Sequence, residues 1–134
     1  MRRVKGFTMV ELVIVMIIIG LLATFAVPQF GKVIEKTKVA KAKNSLALVC
    51  KAQKMWYAEK ETYQSCTVSD CQTKFATVID IQQIGADPDW DYNCAGSYTG
   101  YTCNAIRTGG APDVNAKFII MDSTGAVTGN HPFK

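Results

Sequence analysis

Residues 7–30 read FTMVELVIVMIIIGLLATFAVPQF, and this stretch decides the fold. Eighteen of its 24 residues are apolar, and Glu11 is its only charge. Because about twenty predominantly apolar residues cross the hydrocarbon core of a bilayer as a helix, the stretch predicts a membrane-spanning helix. The remainder of the 134-residue chain has an ordinary soluble composition and is long enough for one small domain.

The overall composition excludes a disordered or collagen-like polymer, since 49% of the residues are hydrophobic and 19% are charged. The net charge is +4, and three of the fifteen basic residues, Arg2, Arg3 and Lys5, precede the apolar run. A basic start before an apolar run indicates targeting to a membrane. The other basic residues form no patch with interleaved aromatics, so we predict no nucleic-acid partner.

Two ordinary targeting segments are alternatives for this N-terminal region. A removed signal peptide would be cut after Thr24-Phe25-Ala26, but ordinary signal cores span about 7 to 15 residues and Leu12–Val27 is longer. A single-span anchor carrying an extracytoplasmic binding domain is the second alternative. The lysines that follow the apolar run would place the body of a plain anchor in the cytoplasm. A charge such as Glu11 inside an apolar segment normally marks function, which neither alternative uses.

The segment Lys5-Gly6-Phe7-Thr8-Met9-Val10-Glu11-Leu12 closely resembles the processing site of type IV pilins and type II secretion pseudopilins. The resemblance is strong over residues 5–30, where Pro28 also fits the family pattern, and loose from there to the end. It implies that a prepilin peptidase cuts between Gly6 and Phe7 on the cytoplasmic side. The same enzyme would N-methylate Phe7, so the apolar helix stays on the mature protein.

Glu11 needs a cationic partner, because an unpaired charge in an apolar medium is very costly. The chain has no basic residue between Lys5 and Lys32, and cleavage would create a cation at the nitrogen of Phe7. The resemblance favours pairing with the Phe7 amine of a neighbouring subunit, which would set the register between helices as a single polar residue does in a coiled coil. The alternative is that Glu11 only stabilises the positive end of its own helix dipole.

One long helix is predicted from about Phe7 to about Lys60, with Pro28 as a weak point. After Pro28, apolar residues recur at steps of three and four and predict one buried helix face: Val39, Ala42, Leu46, Val49, Gln53 and Trp56. The lysines occupy the other faces. They form either a solvated surface or one that meets acidic residues of a neighbouring subunit.

The C-terminal part predicts a small antiparallel sheet that packs on the helix, which makes the fold class α+β. The predicted strands are Tyr92–Cys94, Tyr101–Thr108 and Lys117–Asp122, with a final extended piece over Ala126–Thr128. Their connections are predicted at Ala95-Gly96-Ser97 and Gly109-Gly110-Ala111-Pro112, and a short helix is predicted within Thr73–Ile84. The domain organisation is therefore a leader over residues 1–6, a membrane and filament-core helix over 7–30, and a globular domain over 31–134.

All five cysteines, Cys50, Cys66, Cys71, Cys94 and Cys103, follow the apolar segment. In a small exported domain we expect them to form structural disulfides. The first choice is Cys94–Cys103, which would close a hairpin; the second bridge is either Cys66–Cys71 or a link from Cys50, and one thiol is left over. We predict no zinc site, because there is no Cys-x2-Cys pair and His131 is the only imidazole.

Acidic residues suggest two calcium sites, neither of which we assign. Asp87, Asp89 and Asp91 alternate as in a calcium loop, but Tyr92 stands where that loop needs glycine. The resemblance to major pseudopilins implies a calcium loop near the C-terminus, where Asp113 and Asp122 are available, but Asp122–Gly125 has the pattern of a plain turn. The sequence also contains no catalytic set, so we predict no metal, no cofactor and no enzymatic activity.

The sequence thus predicts the precursor of a structural subunit of a type IV pilus-like filament. The resemblance implies insertion in the inner membrane, cleavage, methylation and polymerisation through the N-terminal helix into an extracellular filament. The implied partners are other copies of the chain, the prepilin peptidase, an assembly ATPase and an inner-membrane platform protein. The close alternative is a pseudopilin of a type II secretion system, which would form a periplasmic filament. Adhesion, motility, DNA uptake and protein secretion are not separated by the sequence.

Overall fold

The computed structural model of the chain describes residues 6–76, 78, 84, 87–110, 114 and 116–133. The elements with defined bounds among these residues are α1 Met9–Lys60, α2 Cys71–Phe75, β1 Trp90–Gly96, β2 Tyr101–Arg107, β3 Phe118–Asp122 and β4 Val127–Gly129. The α+β class is therefore confirmed, and the long helix differs from its predicted bounds only by starting at Met9.

The chain separates into two compact units, with the boundary between Lys36 and Thr37. In the first unit the apolar side chains from Phe7 to Ile34 are exposed, each by 44% or more. Helix α1 is long and apolar enough to cross a membrane, and none of its most apolar window is buried within the chain. Because nothing in the described residues covers these side chains, this is not the core helix of a soluble domain.

In the second unit, one face of α1 is buried and contributes to the core. The buried residues recur at the predicted steps of three and four: Val39, Ala42, Ser45, Leu46, Val49, Cys50, Ala52 and Gln53. Trp56, which the sequence placed on the same face, is only half-buried. The amide of Gln53 also holds the chain after the helix, donating to the carbonyl oxygen of Gln64 at 2.6 Å and accepting from its backbone nitrogen at 2.9 Å.

The sheet is antiparallel throughout, with strand order β1-β2-β3-β4. Alternate residues of its strands are buried and join the helix residues in one core cluster: Trp90, Tyr92 and Cys94 in β1, Tyr101, Cys103 and Ala105 in β2, and Ile119 and Met121 in β3. One face of the sheet is therefore packed and the other is partly exposed, as is usual for antiparallel sheets.

Strand β1 is longer than predicted, so the connection assigned to Ala95-Gly96-Ser97 was wrong. Ala95 and Gly96 pair with Thr102 and Tyr101, and the turn starts at Ser97. Gly96 is needed because another segment packs closely against it, and not because it forms a turn. A Cβ atom there would lie 2.6 Å from the carbonyl oxygen of Tyr63.

The short helix predicted within Thr73–Ile84 is only partly described. Helix α2 covers Cys71–Phe75, and Ile84 is also helical. Residues 77, 79–83, 85 and 86 lie outside the described residues, as do 111–113 of the second predicted connection. The last strand is Val127–Gly129, displaced by one residue from its predicted position.

A network of charged side chains fastens the start of β1 to helix α1. The carboxylate of Asp89 lies 2.7 Å from Lys38 Nζ and 3.1 Å from Arg107 Nη1. Asp87 lies 3.3 Å from Lys41 Nζ and accepts a hydrogen bond from the Tyr92 hydroxyl at 3.0 Å. Arg107 is almost completely buried, and its guanidinium contacts both the carboxylate and the backbone oxygen of Asp89.

Candidate processing and assembly site

The first residues that the structure describes form an exposed segment ahead of α1. Gly6 has open space around it, and 86% of the Phe7 side chain is exposed. The helix begins at Met9, so the Gly6–Phe7 bond lies outside regular secondary structure. A peptidase acting at this bond would not have to unfold a helix first.

Thr8 and Glu11 form a reciprocal cap at the start of α1. The Thr8 backbone nitrogen and hydroxyl donate to Glu11 Oε2 at 2.9 and 2.8 Å, and the Glu11 nitrogen donates to the Thr8 hydroxyl at 3.2 Å. This is the capping box, in which a Thr and a Glu three residues apart satisfy each other's backbone donors. The Thr-x-x-Glu pattern in the sequence is sufficient to predict this contact.

The predicted cleavage bond, Gly6–Phe7, precedes α1, and Glu11, the only charge of the apolar segment, lies in the first turn of that helix. In the unprocessed chain the nitrogen of Phe7 is an uncharged amide. The cation that the sequence predicts as the partner of Glu11 therefore arises only on cleavage. Among the described residues, Thr8 donates hydrogen bonds to this carboxylate.

Pro28 lies inside α1, and the helix continues through it. A proline removes the donor to the carbonyl four residues earlier, which here belongs to Thr24. The Thr24 hydroxyl in turn bonds to the carbonyl oxygen of Gly20 at 3.0 Å. Gly20, Thr24 and Pro28 are spaced by four, so they share one face of the helix and weaken its backbone hydrogen bonding along that face.

The cysteines form two disulfides, Cys66–Cys71 and Cys94–Cys103, and Cys50 is a buried free thiol. Cys94 and Cys103 are directly opposed in the β1–β2 register, with their Cα atoms 4.1 Å apart. Both backbone groups of Cys94 bond to Cys66 instead. The Cys94–Cys103 pair is therefore of the non-hydrogen-bonded kind, in which opposed side chains are closest.

Three of the acidic residues considered for calcium, Asp87, Asp89 and Asp122, make contacts within the fold. Asp122 Oδ1 accepts from the Thr124 nitrogen and hydroxyl at 2.9 and 2.6 Å and from the Ala126 nitrogen at 3.0 Å. The hydrogen bond from the Thr124 hydroxyl is the main reason that the pKa of Asp122 is lowered. Asp87 and Asp89 are held by the charged network described above, and Asp113 lies outside the described residues.

The family comparison identifies the N-terminal segment. Residues 1–27 match the family described as the prokaryotic N-terminal methylation motif. This match covers the predicted cleavage site, Glu11 and most of the apolar run. No solved structure matches the chain.

Curated relatives extend the match into the globular domain. The chain is 44% identical over 61 residues to the type IV major pilin protein PilA of Myxococcus xanthus, covering 46% of this chain and 28% of that protein. It is 33% identical over 64 residues to the type II secretion system core protein G of Pseudomonas aeruginosa, covering 48% and 45%. The chain thus spans less than half the length of these two relatives.

A third relative is matched over most of both chains. This relative is the type IV narrow pilus major component PilA5 of Thermus thermophilus. It is 30% identical to the chain over 103 residues, which cover 77% of this chain and 81% of the relative. The chain combines a match to the methylation motif, an exposed apolar helix and a sheet packed on the second half of that helix. Together with this relative, these features show that the chain belongs to the family of type IV pilins and type II secretion pseudopilins.

Proposed function

We propose that this chain is the precursor of a structural subunit of a type IV pilus-like filament and has no catalytic activity. The proposal rests on the exposed apolar half of α1, which lies in the part of the chain that matches the methylation motif and continues beyond it. Such a surface is stable only in lipid or against other apolar helices. A filament subunit uses both environments, first as a membrane protein and then as part of a helical polymer.

In the membrane state, residues 7–30 span the inner membrane and residues 1–6 are the leader on the cytoplasmic side. The prepilin peptidase removes the leader between Gly6 and Phe7 and methylates the new nitrogen. Residues 31–134 form the globular domain outside the cytoplasm. The two disulfides of this domain support that location, because disulfides persist in oxidising compartments.

In the assembled state, the apolar helix leaves lipid for a bundle of equivalent helices, which offers a similar apolar environment. Glu11 exchanges its hydrogen bonds from Thr8 for the charged amine of Phe7 on a neighbouring subunit. This exchange gives one defined axial register, since any other register leaves a carboxylate unpaired in the bundle. Extraction from lipid needs work, so an assembly ATPase and an inner-membrane platform protein are the further partners.

The pseudopilin of a type II secretion system is the second candidate, because one relative carries that name. A pseudopilin would pass through the same processing but would assemble in the periplasm. We favour the pilus subunit, since the sheet and the two disulfides give the domain the stability that an extracellular fibre needs.

Mass spectrometry of the mature chain tests this proposal. Filaments are sheared from cells and collected, and the N-terminal residue of the chain is determined in the sheared and membrane fractions. The proposal predicts N-methylated Phe7 in both fractions. An intact Met1 would indicate a plain membrane anchor, and a chain that begins at Val27 would indicate a cleaved secreted protein. A methylated chain that reaches only the periplasm would indicate a pseudopilin.

A further inference from the structure

Two tyrosines, Tyr57 and Tyr63, stack on each other where helix α1 ends. Their ring centroids lie 4.6 Å apart, and the planes of the rings make an angle of 22°. Both side chains reach the surface, because Tyr57 is 39% exposed and Tyr63 is partly exposed. We call this pair the tyrosine stack. The proposed assembly through the apolar half of α1 makes no use of it.

The backbone holds the two rings of the tyrosine stack in place. Glu61 adopts the left-handed conformation, with a φ of 56°, and its nitrogen donates to the Tyr57 oxygen at 2.9 Å. A left-handed residue of this kind ends a helix and turns the chain. The nitrogen of Tyr63 then donates to the Ser97 oxygen at 3.1 Å, and the amide of Gln53 holds the residue that follows. The stack therefore does not depend on a chance meeting of two mobile side chains.

Two phenols in this arrangement are suited to oxidative coupling. Removal of one electron and one proton from a tyrosine hydroxyl leaves a phenoxyl radical, whose unpaired electron is shared with the ring carbons beside the hydroxyl. Two such radicals couple by forming a bond between these carbons, and the product is dityrosine. Rings that are already stacked replace an encounter between two molecules by a step within one chain, which favours the coupling strongly.

The other described tyrosines are less suited to this reaction. The rings of Tyr63 and Tyr101 lie 4.9 Å apart, but their planes are tilted by 57° and Tyr101 is only 4% exposed. The Tyr101 hydroxyl also donates to the Cys50 oxygen at 3.3 Å. Tyr98 is 79% exposed, but it has no ring contact in the part of the chain that the structure describes.

We propose that the tyrosine stack is a modification site, at which hydrogen peroxide and a haem peroxidase join Tyr57 to Tyr63 as dityrosine. One peroxide molecule takes two electrons and two protons, one of each from each hydroxyl, and becomes two water molecules. A carbon–carbon bond forms between the rings, and the hydrogen on each bonded carbon moves to the oxygen of its own ring, which restores both phenols. The chain thus loses two hydrogen atoms and gains a covalent link between the end of α1 and the loop that follows it.

Peroxidase treatment of the full chain in detergent micelles tests this proposal. The chain with its disulfides intact is exposed to hydrogen peroxide and a haem peroxidase at several protein concentrations, then digested and mapped by mass spectrometry. We expect the blue fluorescence of dityrosine and a main linked peptide pair that joins Tyr57 to Tyr63, lighter by two hydrogen atoms. The linked fraction should not depend on protein concentration, because both rings belong to one chain.

Substitution by phenylalanine identifies the two rings. Tyr57→Phe and Tyr63→Phe each keep a ring but remove a hydroxyl, so each should lower the dityrosine yield by about tenfold or more. Tyr98→Phe is the matched control, because Tyr98 is more exposed than either member of the stack, and this variant should react as the unchanged chain does. The proposal is overturned if no dityrosine forms, if the main product links two chains, or if Tyr57→Phe and Tyr63→Phe leave the yield unchanged.

Discussion

Glu11 accepts two hydrogen bonds from Thr8, one from its backbone nitrogen at 2.9 Å and one from its hydroxyl at 2.8 Å. Both bonds are local to the first turn of α1, so the isolated chain supplies them without any partner. They provide the carboxylate with donors but with no opposite charge. In our proposal, assembly replaces them with the methylated amine of a neighbouring subunit, so charge rather than hydrogen bonding drives the exchange.

Glu11→Gln should block filament assembly without blocking processing. Glutamine keeps the size of the side chain and an oxygen that accepts from Thr8, so the cap survives while the charge is lost. We expect sheared filaments to fall by about tenfold or more, because an amide cannot compensate the Phe7 cation in an apolar bundle. The measurement is the ratio of mature chain in the sheared fraction to mature chain in the membrane.

Thr8→Val is the control for this prediction, because it removes the hydroxyl donor and keeps the charge of Glu11. This variant should still assemble, since the intermolecular ion pair does not use the hydroxyl. Normal assembly of the Glu11→Gln variant would show that Glu11 acts only as a cap or on the helix dipole.

Asp89→Asn should destabilise the globular domain by roughly 1.5 to 3 kcal/mol, the usual contribution of a hydrogen bond to a charged group. The reason is Arg107, which is 1% exposed and has its guanidinium 3.1 Å from the Asp89 carboxylate. Chemical unfolding followed by near-ultraviolet circular dichroism measures the change. Asp70→Asn is the control, because Asp70 pairs with Lys74 one helical turn away in a half-exposed position, and its loss should change stability little. Equal effects of the two substitutions would contradict the role of the Asp89 network.

The same network predicts how stability depends on pH. Burial raises the pKa of Asp89, but the hydrogen bond from Lys38 and the charges of Arg107 and Lys38 outweigh it, so the pKa of Asp89 is lowered overall. A carboxyl group with a lowered folded-state pKa stabilises the fold above its unfolded pKa, about 3.9 for aspartate. That contribution is lost as the pH falls through the lower folded value. The free energy of unfolding of the Asp89→Asn variant should therefore fall less below pH 5 than that of the unchanged chain. If the free energies of unfolding of the two chains ran parallel against pH, this assignment would be wrong.

The parts of the fold that depend on local pattern were predictable from the sequence. The apolar run over 7–30 and the spacing of Val39, Leu46 and Val49 determine the exposed and buried parts of α1, because both follow from helical period alone. The capping contact of Thr8 with Glu11 is equally local. This contact follows from the Thr-x-x-Glu pattern, which is typical of a helix start.

The parts that depend on distant segments were not predictable from the sequence. Gly96 looks like a turn residue, and only the approach of Tyr63 shows that it lies within a strand. The bridge between Cys66 and Cys94 likewise joins residues that are 28 positions apart in the chain. Neither contact has a local sequence signal, since each arises where a loop folds back onto the edge of the sheet.

Gly96→Ala should destabilise the domain by about 1 to 3 kcal/mol, the usual cost of overpacking. The added Cβ would lie 2.6 Å from the Tyr63 oxygen and 2.7 Å from its carbonyl carbon, so the backbone of one segment would have to move. Gly31→Ala is the control, because a Cβ at Gly31 meets nothing within 4 Å and alanine favours the helix. Thermal unfolding of the two variants should therefore separate them, and an unchanged melting temperature in Gly96→Ala would refute the close approach.

Thiol counting checks the disulfide connectivity, and substitution checks its contribution to stability. The denatured, unreduced chain should expose one reactive thiol, that of Cys50, and Cys50→Ser should expose none. In the native chain this thiol should react slowly, because burial raises the pKa of Cys50. The double substitution Cys94→Ser with Cys103→Ser opens a loop of nine residues and should cost about 2 to 3 kcal/mol on the chain-entropy estimate. A peptide map that joins Cys50 to Cys66 or Cys71 would contradict the pairing.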